Sequence, residues 1–264
     1  MIILRKTLRD QRRGLIGWTI GLVLLVLVYI AVWPSIRDSA PQMDAYIKNL
    51  PKVMRELFIQ GEYGTPVGYV SSEIFGQMGL LLIVIAGIGL GARAIAAEEE
   101  TGTLDILLST PVTRRRVLLE KLAALAVQVA ALAVILSASI ALLGPSVALR
   151  VSLDGLVAAT LSLILLGLAF GSIALLLGAW TGRRGLAIAL TTALAVTAFV
   201  IDGLSKVVDW LEPARFASPF YYYSANDPLK NGLDPWHALA LAGLAVAAVA
   251  LAVAVFDRRD LTTT

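Results

Sequence analysis

The chain has no cysteine, and its one histidine is His237. Disulfide frameworks and thiol chemistry are therefore excluded. No His/Cys/Asp cluster has ligand spacing, so neither a metal site nor a catalytic residue is expected. A phosphate-cradling loop is missing as well. Such a loop ends in Gly-Lys-Ser or Gly-Lys-Thr, and none of Lys6, Lys48, Lys52, Lys121, Lys206 and Lys230 follows a glycine. The chain is expected to be no enzyme and to bind no cofactor itself. Charge is scarce too: 16% of residues are charged against 58% hydrophobic, and the mean hydropathy is +0.81. A soluble domain of 264 residues would not need so much apolar surface.

The few charges are also segregated. Stretches free of Asp, Glu, Lys and Arg run over 14–36, 74–92, 122–149, 155–182, 185–201 and 235–256, with lengths of 23, 19, 28, 28, 17 and 22 residues. About 20 apolar residues cross a bilayer core, so five of these are comfortable spans. The 17-residue stretch reaches the required length if Asp202 sits at the outer face and its helix runs on to about Val208. The expectation is an all-α membrane protein with six transmembrane helices. Lys and Arg orient it. The side holding both termini and the 93–121 and 181–185 loops carries 14 of them, against eight spread over longer loops opposite. Both termini are thus expected to be cytoplasmic, and the net charge of +3 is a topology signal and not a nucleic-acid footprint. Arg12-Arg13 does not mark a cleaved signal, because the first span is too long for one and five more follow.

Residues 1–13 put Leu4, Leu8 and Leu15 near one helical face and Arg5, Arg9, Arg12 and Arg13 elsewhere, which predicts an amphipathic helix at the inner interface. The first span, Leu15 to Trp33, carries Trp18, Tyr29 and Trp33 as interfacial aromatics, and an outside segment is expected from Pro34 to Glu73. Within it Met43, Ile47, Leu50, Met54, Leu57 and Phe58 recur at helical spacing. Thr65-Pro66 then caps and starts the second span. That span runs to about Ala97, and Gly76, Gly79, Gly87, Gly89 and Gly91 leave thin places on it for another helix. Gly144-Pro145 turns the chain between spans three and four. The fourth span carries Gly167-x-x-x-Gly171, continued by Ala174 and Gly178. A second outside segment, 205–235, is rich in proline and aromatics. Only Glu73 and Asp202 approach the membrane as ionisable groups, both at outer helix ends, so an ion relay through the midplane has no stepping stones.

The most polar run in the chain is Ala97-Glu98-Glu99-Glu100-Thr101-Gly102-Thr103-Leu104-Asp105-Ile106-Leu107-Leu108-Ser109-Thr110-Pro111-Val112-Thr113-Arg114. Gly102 loosens the preceding helix, Thr103 is a candidate N-cap, and Pro111 stops the short apolar run. Thr113 offers the next N-cap. A small helix presenting Leu104, Ile106, Leu107 and Leu108 between two spans has nothing of its own to bury them against, so a partner groove is expected to take them.

These residues resemble the intracellular loop of ABC-2 type permeases, the membrane subunits of ABC transporters of the type V, G-subfamily-like fold. The acidic cluster Glu98–Glu100, Gly102-Thr103-Leu104, Leu107-Leu108, Pro111-Val112-Thr113-Arg114 and Lys121 match, as do Thr65-Pro66-Val67-Gly68-Tyr69 and Ser218-Pro219-Phe220 more weakly. The resemblance implies one permease domain over 1–264, with an interfacial helix at 1–13 and a coupling loop at 97–116. It implies an exporter in a prokaryotic plasma membrane, formed by two permease copies, most simply a homodimer, each docked on a separate ATP-binding subunit that holds ATP and Mg²⁺. Glu98, Glu99, Glu100, Gly102, Thr103, Leu104, Ile106, Leu107, Leu108, Pro111 and Arg114 would form the coupling site, the acidic residues facing a basic groove on the ATPase. Spans two and five would face their counterparts across the dimer axis, making Phe75, Met78, Leu82, Thr192, Ala195 and Phe199 the pathway residues. The cargo would be hydrophobic or amphipathic. The alternative is a membrane scaffold with no transport of its own, which need not form a symmetric dimer or stimulate an ATPase in response to a substrate.

Overall fold

The computed structural model describes residues 2–51, 54, 62–102 and 113–258. Its regular structure among those residues is helical: α1 (Ile2–Asp10), α2 (Arg12–Asp38), α3 (Ala40–Lys48), α4 (Pro66–Glu100), α5 (Arg114–Leu143), α6 (Leu153–Thr181), α7 (Arg184–Ser205), α8 (Pro219–Ser224), α9 (Pro228–Asn231) and α10 (Pro235–Arg258). Six of them, α2, α4, α5, α6, α7 and α10, are long and apolar enough to cross a membrane. Their boundaries follow local chemistry. Thr65 and Ser152 sit in extended backbone and accept the Gly68 and Gly155 amides, which starts α4 and α6. Asp234 accepts the Trp236 and His237 amides at the head of α10, and those bonds, His237's first, hold its carboxyl below the ordinary range. Gly182, at φ +66°, ends α6 and leaves only Gly182 and Arg183 as the joint to α7.

The bundle is organised around α4 and α6, the two most covered spans. A Cβ added at Gly91 would lie 2.0 Å from the Gly171 carbonyl oxygen, and one at Gly87 would lie 2.6 Å from that of Gly167. The two backbones are thus in direct contact along the predicted small-residue stripes. Gly89, between them, faces open space. In lipid, helices gain little from hiding apolar surface, so such close approach supplies most of the attraction. Around this pair α5 is tied to α6 by the Thr160–Ser137 hydroxyl bond (2.6 Å) and to the chain's start by the bond from Gln128 to Gln11 (2.8 Å). A second cluster gathers Ile3, Ile95, Val117, Leu118, Leu175 and Phe256 at what is here called the near end of the bundle. There the Ile3 and Leu4 amides donate to the Glu120 carboxylate, docking α1 on α5.

Four details depart from the sequence reading. First, α2 continues through Pro34 to Asp38 instead of stopping at Trp33. Trp33 is buried against Tyr69 (5.1 Å), and that contact holds the turn on which the proline sits. Second, α4 is π-helical over Ser71–Met78. Third, the 205–235 segment carries buried side chains that the sequence reading did not place: Phe220 and Tyr223 of α8 are buried, Phe220 between Phe170 (5.2 Å) and Phe199 (5.4 Å). Fourth, α7 stops at Ser205, short of Val208, and Lys206 pairs with the buried Asp202 at 3.2 Å. The helix expected around Met43 and Ile47 is α3. Leu57 and Phe58 lie outside the described residues.

Replacing Gly91 by valine is expected to force α4 from α6 and to lower the thermal midpoint in detergent by an amount equivalent to about 1–3 kcal/mol or more. Gly89→Ala, introduced where a Cβ meets nothing within 4 Å, should leave the midpoint unchanged or raise it.

Candidate functional site

The polar run between α4 and α5 divides into two described flanks and a central part, Thr103, Leu104, Ile106, Leu107, Leu108 and Pro111 among it, that lies outside the described residues. On the first flank Gly102 takes φ +67°, so the chain leaves α4 there by a conformation that favours glycine. On the second, Thr113 caps α5 by accepting the Arg116 amide at 3.3 Å.

Both flanks are wired into the bundle. Glu98 of α4 forms an ion pair with Lys121 of α5, whose side chain is only 6% exposed. Glu100 accepts the Arg184 amide at 2.7 Å and so holds the first turn of α7. Arg114 donates to the Phe256 carbonyl at 3.2 Å, and its guanidinium lies 5.9 Å from the Phe256 ring, which ties the start of α5 to the end of α10. Glu99 is half-buried. Four spans, α4, α5, α7 and α10, therefore converge on the two ends of residues 103–112. The carboxylates of Glu98 and Glu100 each have a partner within the chain, and Glu100 is otherwise exposed. Arg184, the partner of Glu100, and Phe256, the partner of Arg114, escaped sequence reading, because side-chain to backbone bonds across about 80 and 140 residues leave no local pattern.

A groove of about 400 Å³ runs between α4 and α7, with Trp18 of α2 on its margin. Thr192, Ala195 and Phe199 line it, opposite Leu81, Ile85 and Ile88, and Phe220 bounds its far part. Leu82 faces an adjoining groove against Gly17 and Gly21 of α2, where an added Cβ would meet nothing within 4 Å. Phe75 and Met78 lie outside both grooves. Phe75 is buried and its carbonyl accepts the Tyr223 hydroxyl at 2.8 Å, while Met78 is exposed. The structure thus brings Thr192, Ala195 and Phe199 together and separates them from Phe75. Arg93, which the sequence reading counted only as a topology charge, also lines the α4–α7 groove.

The π-helical start of α4 forms a second polar centre at the far end. Tyr63 donates to Glu73, Ser71 donates to Asp227 at 3.0 Å, and Tyr69 donates to the Tyr29 carbonyl at 3.0 Å. Burial and the bond to Glu73 push the Tyr63 phenol up, so it remains a neutral donor. His237 sits edge-on to Tyr221 and Tyr222 at 5.6 and 5.8 Å. Among the described residues no three His, Cys, Asp or Glu side chains group to hold a metal ion.

Six spans, two clustered stripes of glycine and a loop anchored to four helices define a polytopic membrane subunit. Residues 1–261 match the family described as ABC-2 family transporter protein, and the chain belongs to that family. It is a membrane permease of the ABC transporter type, a class that pairs with an ATP-binding subunit. No curated protein matches the chain.

Lys121→Met is expected to cost about 1.5–3 kcal/mol, because it leaves the Glu98 carboxylate without its charged partner. In a double-mutant cycle with Glu98→Gln the two changes should cost less together than the sum of each alone, read from thermal unfolding in detergent.

Proposed function

We propose that this permease is the transmembrane half of an ATP-driven exporter, and that residues 103–112 receive the stroke of a separate ATPase which holds ATP and Mg²⁺. The observation that carries the reading is the convergence of α4, α5, α7 and α10 on the flanks of that segment. Any displacement imposed on it is passed to four spans at once. Leu104, Ile106, Leu107 and Leu108 supply the grip. Each apolar side chain buried in a partner groove contributes about 1.5–3 kcal/mol before the costs of association. Inverting a 1:99 two-state population takes about 5.5 kcal/mol, so a handful of such contacts is of the right order. In this account Gly102 and Pro111 delimit the segment. Glu98, Glu100 and Arg114 fix its ends to the bundle, and the acidic run Glu98–Glu100 faces the ATPase.

Two copies of the chain, with both termini in the cytoplasm of a prokaryotic cell, would set α4 and α7 of each across a shared axis. The grooves bearing Thr192, Ala195, Phe199 and Leu82 then border the path, with Phe75 and Met78 further along α4. The mostly apolar lining supports a hydrophobic or amphipathic cargo.

Leu107→Asp and Leu108→Asp are each expected to lower the amount of ATPase that co-purifies by at least about tenfold, equivalent to ~1.4 kcal/mol, while accessibility labelling still finds six inserted helices. Full retention of an active ATPase by both variants overturns the coupling assignment.

A further inference from the structure

We propose that the groove between α4 and α7 binds an anionic amphiphile, a molecule with a phosphate or carboxylate head and an alkyl tail, and that Arg93 is the counter-ion for the head. The inference rests on the reading of α4 and α7 as flanks of the path, and it names the class of cargo. Arg93 is the only charged residue among those lining the groove, and Thr192 adds a hydroxyl about midway. The rest of the wall is apolar, from Ile88 and Ile188 beside Arg93 to Leu81 and Phe220 at the other extreme.

Among the described residues no carboxylate pairs with Arg93, and the acidic groups one and two turns along α4 are engaged elsewhere, Glu98 with Lys121 and Glu100 with the Arg184 amide. Arg93 is exposed at the groove and so open to an incoming anion, and its guanidinium fork matches the two oxygens of a carboxylate or phosphate. A cationic amphiphile would be repelled there, and a neutral one would leave the charge uncompensated.

Length gives a second, independent match. Arg93 and Leu81 are twelve residues apart on α4, about 18 Å along the helix. One leaflet's hydrocarbon is about 15 Å deep, half of the ~30 Å core. Arg93 lies seven residues inside the near end of α4, about 10 Å from Glu100. A single-tailed anion can therefore lie along the groove in the posture it has in the adjoining leaflet. The volume of about 400 Å³ falls within the ~300–1,000 Å³ of small-molecule sites.

The test uses the full chain in nanodiscs of zwitterionic phosphatidylcholine, without any ATPase. Two probes with the same bromine-labelled twelve-carbon tail, one an alkyl phosphate and one an alkyl trimethylammonium, are titrated by quenching of Trp18, whose share of the signal is fixed with Trp18→Phe. The phosphate probe is expected to bind at least tenfold more tightly than the ammonium probe. Arg93→Gln removes that preference and Arg93→Lys keeps most of it. Gly89→Leu, which fills the groove at a position where a Cβ meets nothing within 4 Å, weakens the phosphate probe at least tenfold although Arg93 is intact.

Inorganic phosphate at millimolar concentration does not displace the probe if head and tail are both required. Its displacing the probe would mean a site for a free anion and would overturn the amphiphile. Equal affinities for the two probes, or a preference that survives Arg93→Gln, also overturn the proposal. If the probe binds as expected but fails to stimulate the ATPase of the reconstituted complex, the site stands and the path assignment falls.

Discussion

Where α4 crosses α6, two peptide backbones touch, and the rest of the bundle is arranged around that contact. Lipid tails are as apolar as leucine, so a membrane helix has little reason to prefer a neighbour to the solvent unless it packs closely. Gly87 and Gly91 against Gly167 and Gly171 provide that closeness, with carbonyl oxygens standing where side chains would otherwise begin. The contact makes α4 and α6 the covered centre. It leaves α2, α7 and α10 as outer helices with most of their surface turned away from their own chain.

The two ends of this rigid pair are finished with different chemistry. At the near end, charges and side-chain to backbone bonds join neighbouring helices: Glu98 to Lys121, Glu100 to the Arg184 amide, Arg114 to the Phe256 carbonyl. At the far end the fastening is phenolic. The wider π-helical turns of α4 leave the Phe75 carbonyl to accept the Tyr223 hydroxyl, and Ser71 reaches Asp227. Backbone groups at membrane depth need a partner within the protein, and here a tyrosine carried in by α8 supplies one. Charged ties suit an end that meets water, and hydroxyl ties suit one packed among aromatic rings.

Much of the fold was legible because its causes are local. Runs free of charge gave the six spans, Thr65 and Thr113 announced their caps, and the small-residue stripes on spans two and four did face each other. The errors arose where a distant contact overrode a local rule. Pro34 reads as a helix stop, yet Trp33 packed on Tyr69 carries α2 past it. Nor does the aromatic run at Phe220–Tyr223 show in its own spacing that Phe220 is inserted between Phe170 and Phe199. The π-helix at Ser71–Met78 has no signature in residue spacing. The candidate site was legible as a motif but not as a mechanical part. That Glu98 pairs with Lys121 and Glu100 accepts the Arg184 amide depends on contacts which only the folded chain brings near.

The joint of Gly182 and Arg183 has a mechanical meaning of its own. Two residues offer no slack, and Glu100 pins the first turn of α7 just beyond them. The helix is therefore pinned at that tip and cannot slide lengthwise against α6. Its opposite tip is fastened too, by the Ser218 hydroxyl on the Ala198 carbonyl (2.9 Å) and by Phe220 against Phe199.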